Sequence, residues 1–462
     1  MRESSRPSFV LYRSLSAALA TALISACAAG QYNATPGTTG LPQAKRATVS
    51  FSVLHNFQGG ASDGQSPQGV TIGPDRVLFG TTHDGGHIHP RDCAASGCGA
   101  VYENQGTGTQ LIHRFQPQPQ GFHPVAGLLL HNGVYYGAAQ GGKYDDGIVF
   151  SIRRNASGDW VESALYEFKG APDGSEVAGV SYIDASGTLY GTTRMGGTGR
   201  ACLYEQNGCG TVFALQPPKT KGGSWSESVL HSFQGSPSDG ASPTAFLVRK
   251  GSSFFGTTEI GGASGRCPYS TGCGAIYKIT PHGSRSSESL VYSFGVSQTT
   301  NDGVRPATLV DGGDGKLYGI TANGGGSGKC TIEVRAPRGC GTAYSFPFKY
   351  GKKSHDTILY AFAGLPDGMD PDSLTGNASS GFYGLTYYGG SGVCDTQFGC
   401  GTVFSIVRSG SAWAKTTLHV FTGGDGKYPY GPMSLDGRQL FGTAWFGGTA
   451  YCPCGTLYAL TL

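Results

Sequence analysis

The sequence predicts an all-β fold, a single seven-bladed β-propeller of four-stranded repeats. Three observations carry that expectation. A short run of the VLHNF kind, ending in Phe, recurs seven times, at Phe57, Phe115, Phe168, Phe233, Phe294, Phe362 and Phe421. Each copy then repeats the same order of turn and strand motifs, and self-similarity at such a period marks a repeat architecture. No long stretch carries the 3.6-residue apolar period of a helix, so helical repeats are excluded. Four short strands in a unit of roughly 40–60 residues, seven times over, is propeller arithmetic.

Before the first copy the chain reads as an export signal. Arg2, Arg6 and Arg13 precede the apolar stretch 14–26, SLSAALATALISA. That is short for a membrane span but suits a signal segment. It ends in Ile24-Ser25-Ala26-Cys27, an aliphatic residue, two small ones and a cysteine, which is similar to a bacterial lipoprotein signal. Residues 1–26 are therefore expected to be removed and Cys27 to carry the lipid. Ala28 in place of Asp directs the protein to the outer membrane under the usual sorting pattern, or to the extracellular surface. Residues 27–49, rich in Ala, Gly, Thr and Pro, form the tether, and 50–462 the propeller.

Within each copy the Phe-ending strand leads to a turn, Asp-Gly at 63, 173, 239, 302, 367 and 425, and Gln120-Gly121 in copy two. Asp accepts backbone hydrogen bonds and Gly supplies a positive φ, which makes a turn device. An apolar run follows, then an aromatic-Gly-Thr strand such as LYGTT (189–193). Gly-Gly, a variable loop and a GTVF-type strand such as CGTVF (209–213) complete the copy. The chain opens on a Phe-ending strand and closes on a GTLYAL strand. Pairing the two closes the ring and leaves no long open edge.

The pattern GLxxxxxGxLYGTTxxGG…GTVFxL resembles the GloVer tandem repeat of bacterial choice-of-anchor proteins, over about residues 50–462. The resemblance implies a secreted or surface-attached protein held by varied anchors. This sequence departs from the simple repeat by its cysteines.

Of 13 cysteines, 12 fall in pairs: Cys93/Cys98, Cys202/Cys209, Cys267/Cys273, Cys330/Cys340, Cys394/Cys400 and Cys452/Cys454. Each pair brackets the loop between Gly-Gly and the GTVF strand, and only copy two lacks one. In an exported chain this pattern reads as local disulfides. Zinc would want four converging ligands, which one pair per copy does not supply. Cys452-Pro-Cys454 is the weak member, because a one-residue gap strains disulfide geometry.

No metal site, cofactor or catalytic motif emerges. The slot two residues before the terminal Phe holds His55, His113, His231 and His419 or Tyr166, Tyr292 and Tyr360, which suits packing of a flat ring with a polar tip. Asp367, Asp370 and Asp372 are the one acidic group dense enough to raise calcium. Charged residues are 14% of the chain and net charge is +3, without basic clusters, which excludes nucleic acid as a partner. The membrane is reached only through the N-terminal lipid. The residues before Gly-Gly share one slot but differ between copies, and Tyr387-Tyr388 and Trp445-Phe446 occupy it in adjacent copies. These four are the expected ligand-binding residues, as exposed rings for stacking on a sugar or a surface protein. The expected function is a non-catalytic binding or scaffold module at the cell surface. The alternative is a secreted glycan-active enzyme with carboxylates around the propeller channel.

Overall fold

A computed structural model describes residues 49–462 except 87–92, 94–95, 107, 117–119, 203–206, 264–266, 268–270, 284, 296–301, 327–329, 331–338, 352–354, 392–393, 395–397 and 449–451. The expected signal and tether, with Cys27, thus fall almost wholly outside the described residues.

Seven antiparallel sheets form a seven-bladed β-propeller, and each blade runs from its first strand at the axis to its fourth at the periphery. Blade 1 is built of Gly64–Ile72, Leu78–Gly85, Ala100–Asn104 and Thr109–Arg114. Blades 2 to 6 span 122–167, 174–232, 240–293, 304–361 and 369–420. Blade 7 takes its outer strand, Ser50–Asn56, from the start of the chain, paired antiparallel with Thr456–Thr461. Its inner strand is broken in two, Lys427–Pro429 and Ser434–Asp436. The only helical turn among the described residues is Pro74–Arg76, and no helix there is long and apolar enough to cross a membrane.

The motifs follow from packing. Third strands are buried over at least their first three residues, and Ala100–Asn104 is buried throughout. The aromatic of the GTVF strand lies over the Gly of the aromatic-Gly-Thr strand in all seven blades. A Cβ on Gly191 would collide with the Phe213 ring, and one on Gly256 with Tyr277. The seven terminal Phe residues are fully buried and meet the same aromatic edge-on, as Phe233 meets Tyr277 at 4.9 Å. Such edge-to-face pairs add to area burial.

The ring slot and the Asp-Gly turn, separate in sequence, act together. The slot side chain hydrogen-bonds the turn aspartate in six blades: His55–Asp63 3.0 Å, Tyr166–Asp173 2.8 Å, His231–Asp239 2.9 Å, Tyr292–Asp302 2.5 Å, Tyr360–Asp367 2.9 Å and His419–Asp425 2.8 Å. The same carboxylate caps the turn backbone, as from Gln234 N at 2.8 Å and Gly240 N at 2.7 Å. Where Gln120 replaces the aspartate, the buried His113 Nε2 has no hydrogen-bond partner. Burial and then Arg114 push that imidazole down to about 4.

At six seams the next blade's outer strand adds a further group, six residues before its terminal Phe. Lys415 pairs with Asp367, and Phe51 stacks on His419 at 3.6 Å, which seals the ring closure. At other seams the position holds Glu162, Glu227, Glu288 or Asp356, each pushed up to about 7, first by burial.

All six cysteine pairs are bonded within their own loops, including Cys452–Cys454, with Cα separations of 4.9 to 5.5 Å. Six such bridges fit an extracellular or otherwise oxidising setting.

Candidate functional site

Each first strand begins with a repeated irregularity. The third residue after the turn's Asp (Gln120 in blade 2) sits in the left-handed region: Ser66, His123, Glu176, Ser242, Arg305, Asp370 and Tyr428, with φ between 49° and 58°. A non-glycine residue there costs on the order of 1 kcal/mol, so a sevenfold recurrence needs a cause. The cause is a bond between blades. The N–H of each residue reaches a carbonyl of the preceding blade: His123 to Cys98 2.8 Å, Ser242 to Cys209 2.9 Å, Arg305 to Cys273 2.8 Å, Asp370 to Cys340 3.1 Å, Tyr428 to Cys400 2.8 Å and Ser66 to Cys454 2.8 Å. In the blade without cysteines, Glu176 uses Asp146 at 3.0 Å. The second cysteine of each loop is thus the acceptor that joins it to its neighbour. The glycine after it packs on the next blade's proline, as Gly210 does on Pro243; only the cysteine-free blade faces Val177 instead.

The backbone of this ring is uniform, but its seven side chains are all polar and all but the two serines differ. The second ring of variable residues is the slot before Gly-Gly, at the end of each second strand. The two rings lie on the cysteine-loop rim and touch across three seams. His83 stacks on His123 with centroids 4.3 Å apart, and Tyr387 stacks on Tyr428 at 4.9 Å and 6°. Glu259 forms an ion pair with Arg305.

The mouth is therefore divided. Blades 3 to 5 contribute a charged arc. Arg194 and Arg305 flank Glu259, with Arg194 at 3.5 Å. Burial alone would raise Glu259, but the two guanidinium groups outweigh it and hold the carboxyl below its ordinary value. Glu176 is raised, by burial first. Blades 6 and 7 contribute an aromatic arc, in which Tyr430 meets Trp445 edge-on at 4.9 Å and Trp445 lies 5.6 Å from His83. The arcs approach each other: Tyr430 is near enough to Arg194 for its phenolate, once formed, to raise the guanidinium. The break in blade 7's inner strand allows this. Gly431 N donates to Asp372 at 2.9 Å, and Pro432 rests on Gly69 in blade 1 and Gly127 in blade 2. Residues 430–432 thus reach over the axis to other blades.

The four residues expected to bind ligand all lie in the aromatic arc. Trp445 and Phe446 are half-buried, but Tyr387 is only 7% exposed, covered by Tyr428. Tyr388 is half-buried against Phe398, Tyr387 and Tyr428. The expectation of exposed rings therefore does not hold for Tyr387, because the left-handed residue of the next blade turns Tyr428 onto its face. Sequence reasoning missed Arg194, Glu259 and Arg305 as a set, and missed Tyr428 and Tyr430. A usable signal was present: the residue before the recurrent proline is as variable as the residue before Gly-Gly. Asp367, one of the three acids weighed for calcium, is taken by Tyr360, Ala363 N and Lys415, which leaves it little to offer a cation.

No curated protein matches the chain in sequence. Among solved structures, puromycin hydrolase superposes with a TM-score of 0.49 at 11% identity, over 83% of this chain and 50% of that one. The N-terminal domain of Nup159 gives 0.45 at 9% identity, over 91% and 98%. Trypanosoma rangeli sialidase gives 0.39 at 9%, over 79% and 58%. Likeness at this level bears on no activity. The repeat itself is decisive: the Gloeobacter/Verrucomicrobia repeat matches residues 30–204, 161–346 and 269–462, and the chain belongs to that family.

Proposed function

We propose that this propeller is an exported, lipid-anchored surface module that binds a glycan at the cysteine-side mouth without transforming it. One observation carries the reading. A backbone repeated seven times, at the cost of seven left-handed residues, presents side chains that are not repeated. Packing alone would favour the same residue in each copy, as it does for the seven buried Phe residues. The arcs suit a sugar: Trp445 and Tyr430 offer ring faces and edges for stacking, and Arg194 and Arg305 offer donors to hydroxyl or carboxylate oxygens. Anchoring through Cys27 would hold the module at the outer membrane, where such ligands occur.

A second reading rests on Glu176 and Glu259. Both act on Arg194, one held above its ordinary range and the other below. Carboxyls pushed apart in this way can serve as acid and base. A glycan panel read for both binding and product release separates the two. The binding reading expects retention of an intact glycan, lost in Trp445→Ala. Release of shortened product, lost in Glu176→Gln, would replace it with the enzymatic one. No retention and no product would remove glycans from consideration.

A further inference from the structure

The seam between blades 1 and 2 differs from the others in what the two variable rings supply. His83 and Asp84 end the second strand of blade 1, and His123 occupies the left-handed position of blade 2. Asp84 Oδ1 lies 3.0 Å from His83 Nδ1 and 3.5 Å from His123 Nε2. A donor atom from each residue falls within 4.8 Å of the other two. From these distances we propose that His83, Asp84 and His123 form a binding site for a divalent transition-metal ion of the zinc type.

Two edges of the triangle have the right size. Four-coordinate zinc with bonds of about 2.0–2.1 Å places neighbouring donors about 3.4 Å apart. The two edges to Asp84, 3.0 and 3.5 Å, bracket that value, and the stacked rings, 13° from parallel, turn so that both lone pairs meet at the ion. The donor set selects the ion: two imidazoles and one carboxylate suit zinc, cobalt or nickel, whereas calcium and magnesium want six or more oxygens. The backbone is already held. His123 N donates to Cys98 O at 2.8 Å, and His123 Nε2 contacts Gly97 O at 3.1 Å, both on the loop closed by Cys93–Cys98. Ser96 of that loop bonds Asp84. In the metal-free protein the ring nitrogens share protons with Asp84 and Gly97. An arriving ion takes those nitrogens, and each ring either moves its proton to the opposite nitrogen or releases it. Three protein ligands leave one coordination position open, and His83 lies beside Trp445.

The other triad of this kind, His231, Asp239 and Glu288, has a different standing. Its His position belongs to the lock repeated around the ring, where tyrosine serves equally at Tyr166, Tyr292 and Tyr360. A position indifferent between His and Tyr is built for a hydrogen bond. No such interchange explains two stacked histidines on one carboxylate.

The test uses the purified mature chain stripped with a chelator. Zinc is titrated by calorimetry, and cobalt by its visible ligand-field absorption. The expected result is one ion per chain, no response to calcium or magnesium, and a cobalt spectrum of low coordination number. His83→Ala and His123→Ala should each weaken binding by at least about 100-fold, since even outer-shell changes cost 10–100-fold. His231→Ala should leave binding unchanged. His83→Gln, which keeps a polar side chain at the seam, should lose metal while retaining the wild-type melting temperature without metal, which separates ligation from folding. Absence of zinc binding, or binding that survives in both the His83 and His123 variants, overturns the proposal.

Discussion

Replacing Asp356 with Asn probes how the blades are joined. At the seam between blades 4 and 5, the Tyr292 hydroxyl lies 2.5 Å from Asp302 and 3.0 Å from Asp356. One hydroxyl proton cannot serve two carboxylates, so the second bond requires a protonated acid. Asp356 is 4% exposed and is pushed up to about 7, by burial first and then by the charge of Asp302. In the unfolded chain the same group titrates near 3.9. The folded pKa is the higher one, so the fold favours the protonated form. The seam is therefore fully stable below about pH 4 and loses stability as pH rises towards 7. Three pKa units correspond to about 4 kcal/mol, an upper bound because Asp302 shares the proton. Asparagine imitates the protonated acid by placing an N–H donor to the Tyr292 oxygen where the proton stood. Denaturant unfolding at pH 5 and pH 9 reads the result. The variant's advantage over wild type should be larger at pH 9 than at pH 5, by up to about 3 kcal/mol, since the unfolded carboxyl is already ionised at pH 5. An equal difference at both pH values would refute the reasoning, because the carboxyl would then not be the titrating group.

Three further outcomes follow from the same packing. Gln120→Asp should stabilise the protein by about 1 kcal/mol, since it gives the buried His113 the partner present in the other six blades; a lower denaturation midpoint would contradict that. Gly191→Ala should destabilise by about 1–3 kcal/mol, because a methyl group meets the Gly179 carbonyl oxygen and the Phe213 ring; an unchanged midpoint would show that strand and ring both yield. Cys27→Ser should release the protein from membranes in fractionation, and continued partition with lipid would show that the anchor lies elsewhere.

The fold was legible because its determinants are local and repeated. Phe-ending strands, Asp-Gly turns, the aromatic-Gly-Thr strand and the cysteine loops each recur at a fixed place, and the structure uses each as the spacing implies. What was not legible is what passes between copies. His231 and Asp239 are eight residues apart, and each read alone as a packing ring and a turn residue; their bond shows only when strand and turn are folded together. Asp356 and Tyr292 lie 64 residues apart, so the proton they share leaves no local pattern. The site was half visible. The slot before Gly-Gly pointed to Tyr387, Tyr388, Trp445 and Phe446, but its partners sit at the left-handed position of the next blade. That position is marked in sequence only by the proline after it, and it decides which rings are covered. Tyr428 buries Tyr387, whereas blade 1's Ser66 is too small to do the same to Trp445.

The central claim is that the two variable rings at the cysteine-side mouth bind ligand, and a crystal structure with the tightest binder from the glycan panel tests it most directly. The account predicts the sugar at that mouth, with a ring against Trp445 or Tyr430 and an oxygen on Arg194 or Arg305. A ligand on the opposite rim, or on the outer faces of the blades with this mouth vacant, would contradict it.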